Sequence, residues 1–173
     1  MSNSLPQSII PARLSEQQAS LSGHLRLADM PRLLFSLHEV HAEEAEVELN
    51  FTQDTENFIV IYGKIRARLP LLCQRCFKAM VYPVDAQVIW SPVKSETQAD
   101  ELPAQYEPCL MQADSLNILD VVEEELLLSL PLVPMHNEAE CSVKLPNEKQ
   151  DADPIKSHLF EVLKKYTSRD YKL

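Results

Sequence analysis

The stretch that decides the fold is residues 45–90, AEVELNFTQDTENFIVIYGKIRARLPLLCQRCFKAMVYPVDAQVIW. Ala45, Val47, Leu49 and Phe51 alternate with Glu46, Glu48, Asn50 and Thr52, the period of a strand with one face on a core and the other in water. Asp54, Thr55, Glu56 and Asn57 then read as a turn. The next run places Ile59, Ile61, Ile65, Ala67, Leu69 and Leu71 on one side and Lys64, Arg66 and Arg68 on the other. After Cys73-Gln74-Arg75-Cys76-Phe77-Lys78 the alternation resumes through Met80, Tyr82, Val84, Ala86, Val88 and Trp90. Three alternating runs with short connections predict an antiparallel β-meander that packs one face on a core.

Outward from the meander the pattern changes. Ser20 to Leu27 alternates weakly and predicts a first strand. Asp29 is placed to cap a short helix with Pro31 in its first turn and Leu33, Leu34 and Leu37 inward. A short strand is expected near Tyr106–Met111. Leu116, Leu119, Val122 and Leu126 recur at helical spacing, with Asp114 or Ser115 as N-cap and Pro131 beyond the last turn. A last helix is expected over Ile155–Tyr166. Residues 1–14 read as a flexible N-terminal arm, residues 15–173 as a single α+β domain, and residues 131–155 as an irregular, mobile segment within it. The expected architecture is thus an α+β fold in which two or three helices pack on an antiparallel meander with a Cys-x-x-Cys hairpin tip.

The 173-residue chain is 45% hydrophobic and 24% charged, the balance of a globular protein. It has 2 glycines and 12 prolines, too little glycine for a phosphate-cradling loop, and neither GxGxxG nor GxxxxGK[ST] occurs. Kinase, P-loop and dinucleotide-binding readings are excluded. The net charge of −10 argues against wholesale coating of nucleic acid, though not against a local basic patch. No run reaches the roughly 20 apolar residues of a membrane span, and the first residues do not read as a secretory signal. A cytoplasmic protein with reduced cysteines is expected.

Chemistry concentrates at Cys73 and Cys76. Two thiols separated by two residues at a hairpin tip can supply half of a tetrahedral zinc site, with His136 and Cys141 as the candidates for the other half. Such a Cys73/Cys76/His136/Cys141 set would tether the irregular segment after the main helix. A redox pair and free thiols are the alternatives. Redox chemistry favours a helix N-terminus after a strand, whereas strand-like alternation here lies on both sides. Cys109 reads as a small buried hydrophobe.

Charge is segregated. Between Asn57 and Val84 stand Lys64, Arg66, Arg68, Arg75 and Lys78 and no acid. Between Val93 and Leu126, Lys94 is the one cation against a run of acids that includes Asp120, Glu123, Glu124 and Glu125. The basic set could meet RNA phosphates; it is equally an ordinary solvated strand face paired across the sheet with Glu46 and Glu48. The acidic set could meet a basic protein, or be a solvated helix face. No catalytic constellation is present.

The chain resembles the bacterial YceD family, the large ribosomal RNA subunit accumulation proteins. The resemblance runs in order through Cys73-Gln74-Arg75-Cys76, Ser91-Pro92-Val93, Leu102-Pro103-Ala104-Gln105-Tyr106-Glu107-Pro108 and the helix Asn117 to Glu125. It continues through Leu130-Pro131-Leu132-Val133-Pro134-Met135-His136, Cys141 and Asp153-Pro154. What it implies is a non-enzymatic role in synthesis, processing or stability of large-subunit (23S) ribosomal RNA. The partner would be a large-subunit rRNA precursor or a ribosomal protein. An acidic adaptor for a basic ribosomal protein is the main alternative, and a thiol redox protein using Cys73 and Cys76 the other.

Overall fold

The computed structural model describes residues 5–143. Its main sheet has five strands in the order β2 (Ser20–Arg26), β3 (Glu44–Gln53), β4 (Ile59–Leu72), β5 (Ala79–Val93) and β6 (Glu107–Leu110). The first four are antiparallel neighbours, and β6 runs parallel to β5. The expected α+β meander is therefore present, extended by one parallel edge strand. Alternation produces it directly: Ala45, Val47, Leu49, Phe51, Ile61, Ile65, Leu69, Val88 and Trp90 are buried on one face.

Asp54 forms the β3–β4 turn. Its Oδ1 accepts the N–H groups of Glu56 and Phe58 at 2.9 Å each, and Asn57 takes the left-handed conformation (φ 68°) that its short amide side chain tolerates.

The helices cover the buried face. A 3₁₀ turn, Leu27–Asp29, leads into α2 (Pro31–Leu34), where Pro31 stands at the first helical position and Leu27, Met30 and Leu33 are fully buried. The main helix, α4 (Ile118–Leu128), buries Ile118, Val122 and Leu126. Burying each such side chain is worth roughly 2 kcal/mol as an upper value. A short α3 (Glu96–Asp100) lies in the β5–β6 connection, with Ser95 as its cap.

Two expectations are corrected together. The N-terminal residues expected as a loose arm form β1 (Ser8–Ile9) and α1 (Pro11–Glu16), with Leu5 and Ile9 buried. β1 pairs with β7 (Leu116–Asn117), Ser8 opposite Asn117 and Ile9 opposite Leu116. Leu116 and Asn117 are thereby drawn into a strand, so α4 starts at Ile118 and is capped by Asn117 Oδ1, not by Asp114 or Ser115; Asn117 accepts the Leu119 N–H at 3.1 Å. The last helix expected over 155–166 lies outside the described residues.

The strand lengths place the site. β3 pairs with β4 only as far as Glu46 opposite Arg66, while β4 and β5 continue to pair from there to Leu72 opposite Ala79. The outer part of this hairpin is thus a two-stranded arm about 20 Å long. On its β4 edge, the Pro70 carbonyl accepts the His38 N–H at 2.8 Å.

Candidate metal centre and charged surfaces

The turn Cys73–Lys78 closes the arm. Cys73 N–H donates to the Lys78 carbonyl at 3.0 Å and Phe77 N–H to the Cys73 carbonyl at 2.8 Å, with Phe77 left-handed at φ 55°. Gln74 N–H reaches across to the Pro134 carbonyl at 2.8 Å, which lays the segment after α4 along the turn. His136 and Cys141 then arrive beside the two thiols. Asn137 turns the chain between them, its carbonyl accepting the N–H groups of Glu140 and Cys141 at 3.0 Å each.

The ligand atoms of Cys73, Cys76, His136 and Cys141 all lie within 4.8 Å of one another. Sulfurs bound tetrahedrally to one zinc ion stand about 3.8 Å apart, so the four can hold a single metal ion. His136 faces the site with Nδ1, 3.4 Å from Cys76 Sγ, while Nε2 lies 3.2 Å from the Ala79 carbonyl. In the tautomer that fits both contacts, Nε2–H donates to Ala79 and the Nδ1 lone pair points at the thiols, as a backbone carbonyl orients a metal-bound imidazole.

The electrostatics agree. Burial would raise the Cys73 thiol, but the N–H groups of His136, Cys76 and Arg75 outweigh it and bring the group down to about 5; the His136 N–H lies 3.4 Å from the sulfur. Burial likewise opposes ionisation of Cys76, and the Lys78 N–H helps to hold it below the ordinary thiol value. Cys141 is raised, by burial and by the neighbouring Cys76 and Cys73. His136 is raised chiefly by its bonding to Cys73, with Cys76 adding to it against burial. Two of the three thiols are thus held below their ordinary value and one above it, and the imidazole is raised by the negative charge that gathers beside it. The cysteine pair lies between two strands, as its flanking alternation predicts, and not at a helix N-terminus. Cys109 is buried on β6 and its thiol is pushed up to about 12 by that burial.

The basic residues differ in their ion pairing. Lys64 lies 3.6 Å from Asp85, and Arg66 lies among Glu46 at 3.1 Å, Glu48 at 3.2 Å and Asp85 at 3.7 Å. Both are neutralised across the sheet. Arg68, Arg75 and Lys78, farther out on the arm, make no ion pair among the described residues. Arg75 instead rests a guanidinium nitrogen 3.7 Å from Met135 Sδ, and its buried Nε has no hydrogen-bond partner.

The acidic set is dispersed. Glu123 is buried and bound to α2, which removes it from any partner surface. Helical phase carried the signal, since Glu123 stands four residues after Leu119 and three before Leu126, beside the apolar stripe; grouping it with the neighbouring acids hid it. The Asp120 carbonyl accepts from Arg32 at 3.1 Å, Glu124 is exposed, and Glu125 is raised by burial and by Glu107.

Comparison with known proteins follows the same stretch. A family model described as Large ribosomal RNA subunit accumulation protein YceD matches residues 61–165, a range that spans the arm and all four candidate ligands. A Large ribosomal RNA subunit accumulation protein YceD from Haemophilus influenzae is 33% identical over 140 residues, 80% of each chain. No solved structure matches.

Proposed function

This chain belongs to the YceD family of large ribosomal RNA subunit accumulation proteins, and from that premise we propose that it supports the synthesis, processing or stability of large-subunit rRNA by binding, with no bond-making step of its own. The observation that carries this is the distribution of charge along the β4–β5 arm. Cross-strand acids cancel Lys64 and Arg66 near the body of the sheet, while Arg68, Arg75 and Lys78 are left without ion pairs among the described residues toward the tip. A cation that no neighbour neutralises is available to a phosphate. The RNA-contacting set is accordingly Arg68, Arg75 and Lys78.

The four-ligand cluster is assigned to zinc. Three sulfurs and one imidazole nitrogen are the donors zinc prefers in closed structural sites. There the ion would fasten residues 134–141 to the arm and fix the shape of the tip. The family name and the absence of a helix long and apolar enough to cross a membrane among the described residues agree with work beside the assembling ribosome in the cytoplasm.

The test is co-sedimentation with large-subunit precursors from cells. Arg68→Glu together with Lys78→Glu should lower the fraction of protein that travels with the precursor. Unchanged sedimentation overturns the RNA-contact assignment. Elemental analysis of protein purified without chelators should give one zinc per chain, and a value far below that ends the zinc assignment.

A further inference from the structure

Phe77 is the residue of the tip that neither the metal cluster nor the charge pattern accounts for. Its backbone lies in the left-handed region at φ 55°, where a bulky residue is uncommon and glycine fits without strain. Little packing compensates: the residue is 72% exposed. The turn therefore bears a backbone cost and leaves an aromatic ring in water. On either side in sequence are Arg75, Cys76 and Lys78, with Arg75 and Lys78 free of ion pairs among the described residues.

We propose that the Cys73–Lys78 turn binds an unpaired nucleotide of single-stranded RNA, with the Phe77 ring stacked on the base and Lys78 on an adjoining phosphate. The inference rests on the RNA-binding reading above and narrows it to single strands. An exposed aromatic beside cations is the arrangement by which proteins hold bases that are free of a duplex; in an A-form helix the base faces are covered by their neighbours. Arg68 lies down the arm from the turn, and between Arg68 and Cys73 the strand rises about 16 Å, which places it for a phosphate a few nucleotides along. Glu138 and Glu140 are exposed on the segment that carries Cys141, so the positive side of the tip is the Cys73–Lys78 turn itself. Closing the metal cluster would hold that turn rigid, so little order is lost when a base stacks on it.

Binding is measured by fluorescence anisotropy at one fixed salt concentration, with full-length protein purified without chelator. The probes are a mixed-sequence RNA single strand of about 12 nucleotides, within the range one such site covers, and the same strand annealed to its complement. The unaltered protein should bind the single strand more tightly than the duplex. Phe77→Ala should weaken single-strand binding by about 5- to 150-fold, the span covered by loss of one base–aromatic stack, and Phe77→Trp should restore it. Phe77→Gly should weaken it equally while thermal unfolding stays within a few degrees, since relief of the left-handed strain offsets the added freedom of the unfolded chain.

Normal binding by Phe77→Ala, with Arg68→Glu and Lys78→Glu both impaired, overturns the stack and leaves the RNA reading standing. No binding of either probe by the unaltered protein removes the RNA reading and this inference with it. If Phe77→Ala loses co-sedimentation with precursors but keeps its RNA affinity, the ring enters a pocket on a protein and the inference is wrong.

Discussion

Glu123 on α4 holds the first turn of α2 through a single carboxylate: Oε1 accepts the backbone N–H of Arg32 at 2.6 Å and of Leu33 at 3.1 Å, and Oε2 takes Arg32 Nε at 2.8 Å. The residue is 3% exposed. The arrangement is a helix cap supplied from 90 residues away in sequence, and it ties α2 to α4. Glu123→Ala leaves two backbone N–H groups and the Arg32 Nε without their acceptor, the guanidinium keeping the Asp120 carbonyl, which costs about 2–4 kcal/mol. Glu123→Gln keeps one acceptor oxygen and costs about half of that. Urea unfolding at neutral pH checks both values.

The same carboxylate makes stability depend on pH. Burial alone would raise its pKa, but the Arg32 side chain and the Leu33 and Arg32 amides outweigh burial and lower it. A depressed folded value contributes stability that is fully present above the unfolded carboxyl value, about 4.3, and is lost as pH falls through the lower folded one. Thermal unfolding followed from pH 7 to pH 3 should therefore fall less steeply for Glu123→Gln than for the unaltered protein. Parallel curves would show that the carboxylate does not carry the effect.

Gly63 lies on β4 beneath Val88 of the neighbouring strand. A Cβ at this position would lie 2.6 Å from Val88 Cγ2 and 3.2 Å from Leu49 Cδ2. Val88 is short, branched and buried, so it has no flexible end to swing aside. Gly63→Ala should destabilise by about 1–3 kcal/mol. In a double-mutant cycle with Val88→Ala the pair should lose less than the sum of the single changes, because the second removes the clash made by the first. Additive losses would put the strain elsewhere.

Beyond the four ligands, the segment after α4 is tied to the arm by the Gln74–Pro134 hydrogen bond and the Arg75–Met135 contact. Removing the metal, or replacing a ligand by Cys76→Ser, should therefore free residues 131–143 while the sheet stays folded. Brief proteolysis should cut within that stretch only after chelation, with the far-ultraviolet circular dichroism unchanged. Alkylation gives a second readout. Cys73, Cys76 and Cys141 should become reactive on chelation, while Cys109, buried and raised to about 12, stays silent until the protein unfolds. Equal reactivity of the three cysteines before and after chelation would mean that no metal guards them.

How much of this was legible in sequence follows from the range of each signal. The meander was, because Val47, Leu49, Ile65, Leu69 and Val88 alternate over long runs and period-two patterning is local. The candidate cluster was also legible, since Cys73, Cys76, His136 and Cys141 are chemically conspicuous, and the fold brings their ligand atoms within 4.8 Å of one another. The β1–β7 pair was not: two residues on each side are too few for periodicity, and only the burial of Leu5 and Ile9 reveals why they order. Glu123 was misread because its role depends on Arg32 and Leu33, a partnership no local pattern records. Phe77 went unremarked for the same reason, since neither its left-handed φ nor its exposure is written in residue type.

Arg66 decides how the basic strand is to be understood. It is placed among Glu46, Glu48 and Asp85, and its pKa is raised first by the hydrogen bond to Glu46, so its charge is engaged within the sheet. These partners are about half exposed, so solvent screens the pairing and it adds little to stability. Arg66→Gln should accordingly leave the midpoint of urea unfolding nearly unchanged and leave association with large-subunit precursors unchanged. Arg66→Glu would gather four like charges on adjoining strands and cost more, with a penalty that shrinks as salt is added. Arg68→Gln has no such partner to lose among the described residues, so its stability should hold while precursor association falls and the salt dependence of that association becomes shallower. If Arg66→Gln and Arg68→Gln impair association equally, the whole strand face is the contact and the cross-strand acids do not screen it. The contrast between two arginines on one strand, one engaged and one without an ion pair among the described residues, therefore tests whether neutralisation by the sheet selects which cations reach the partner.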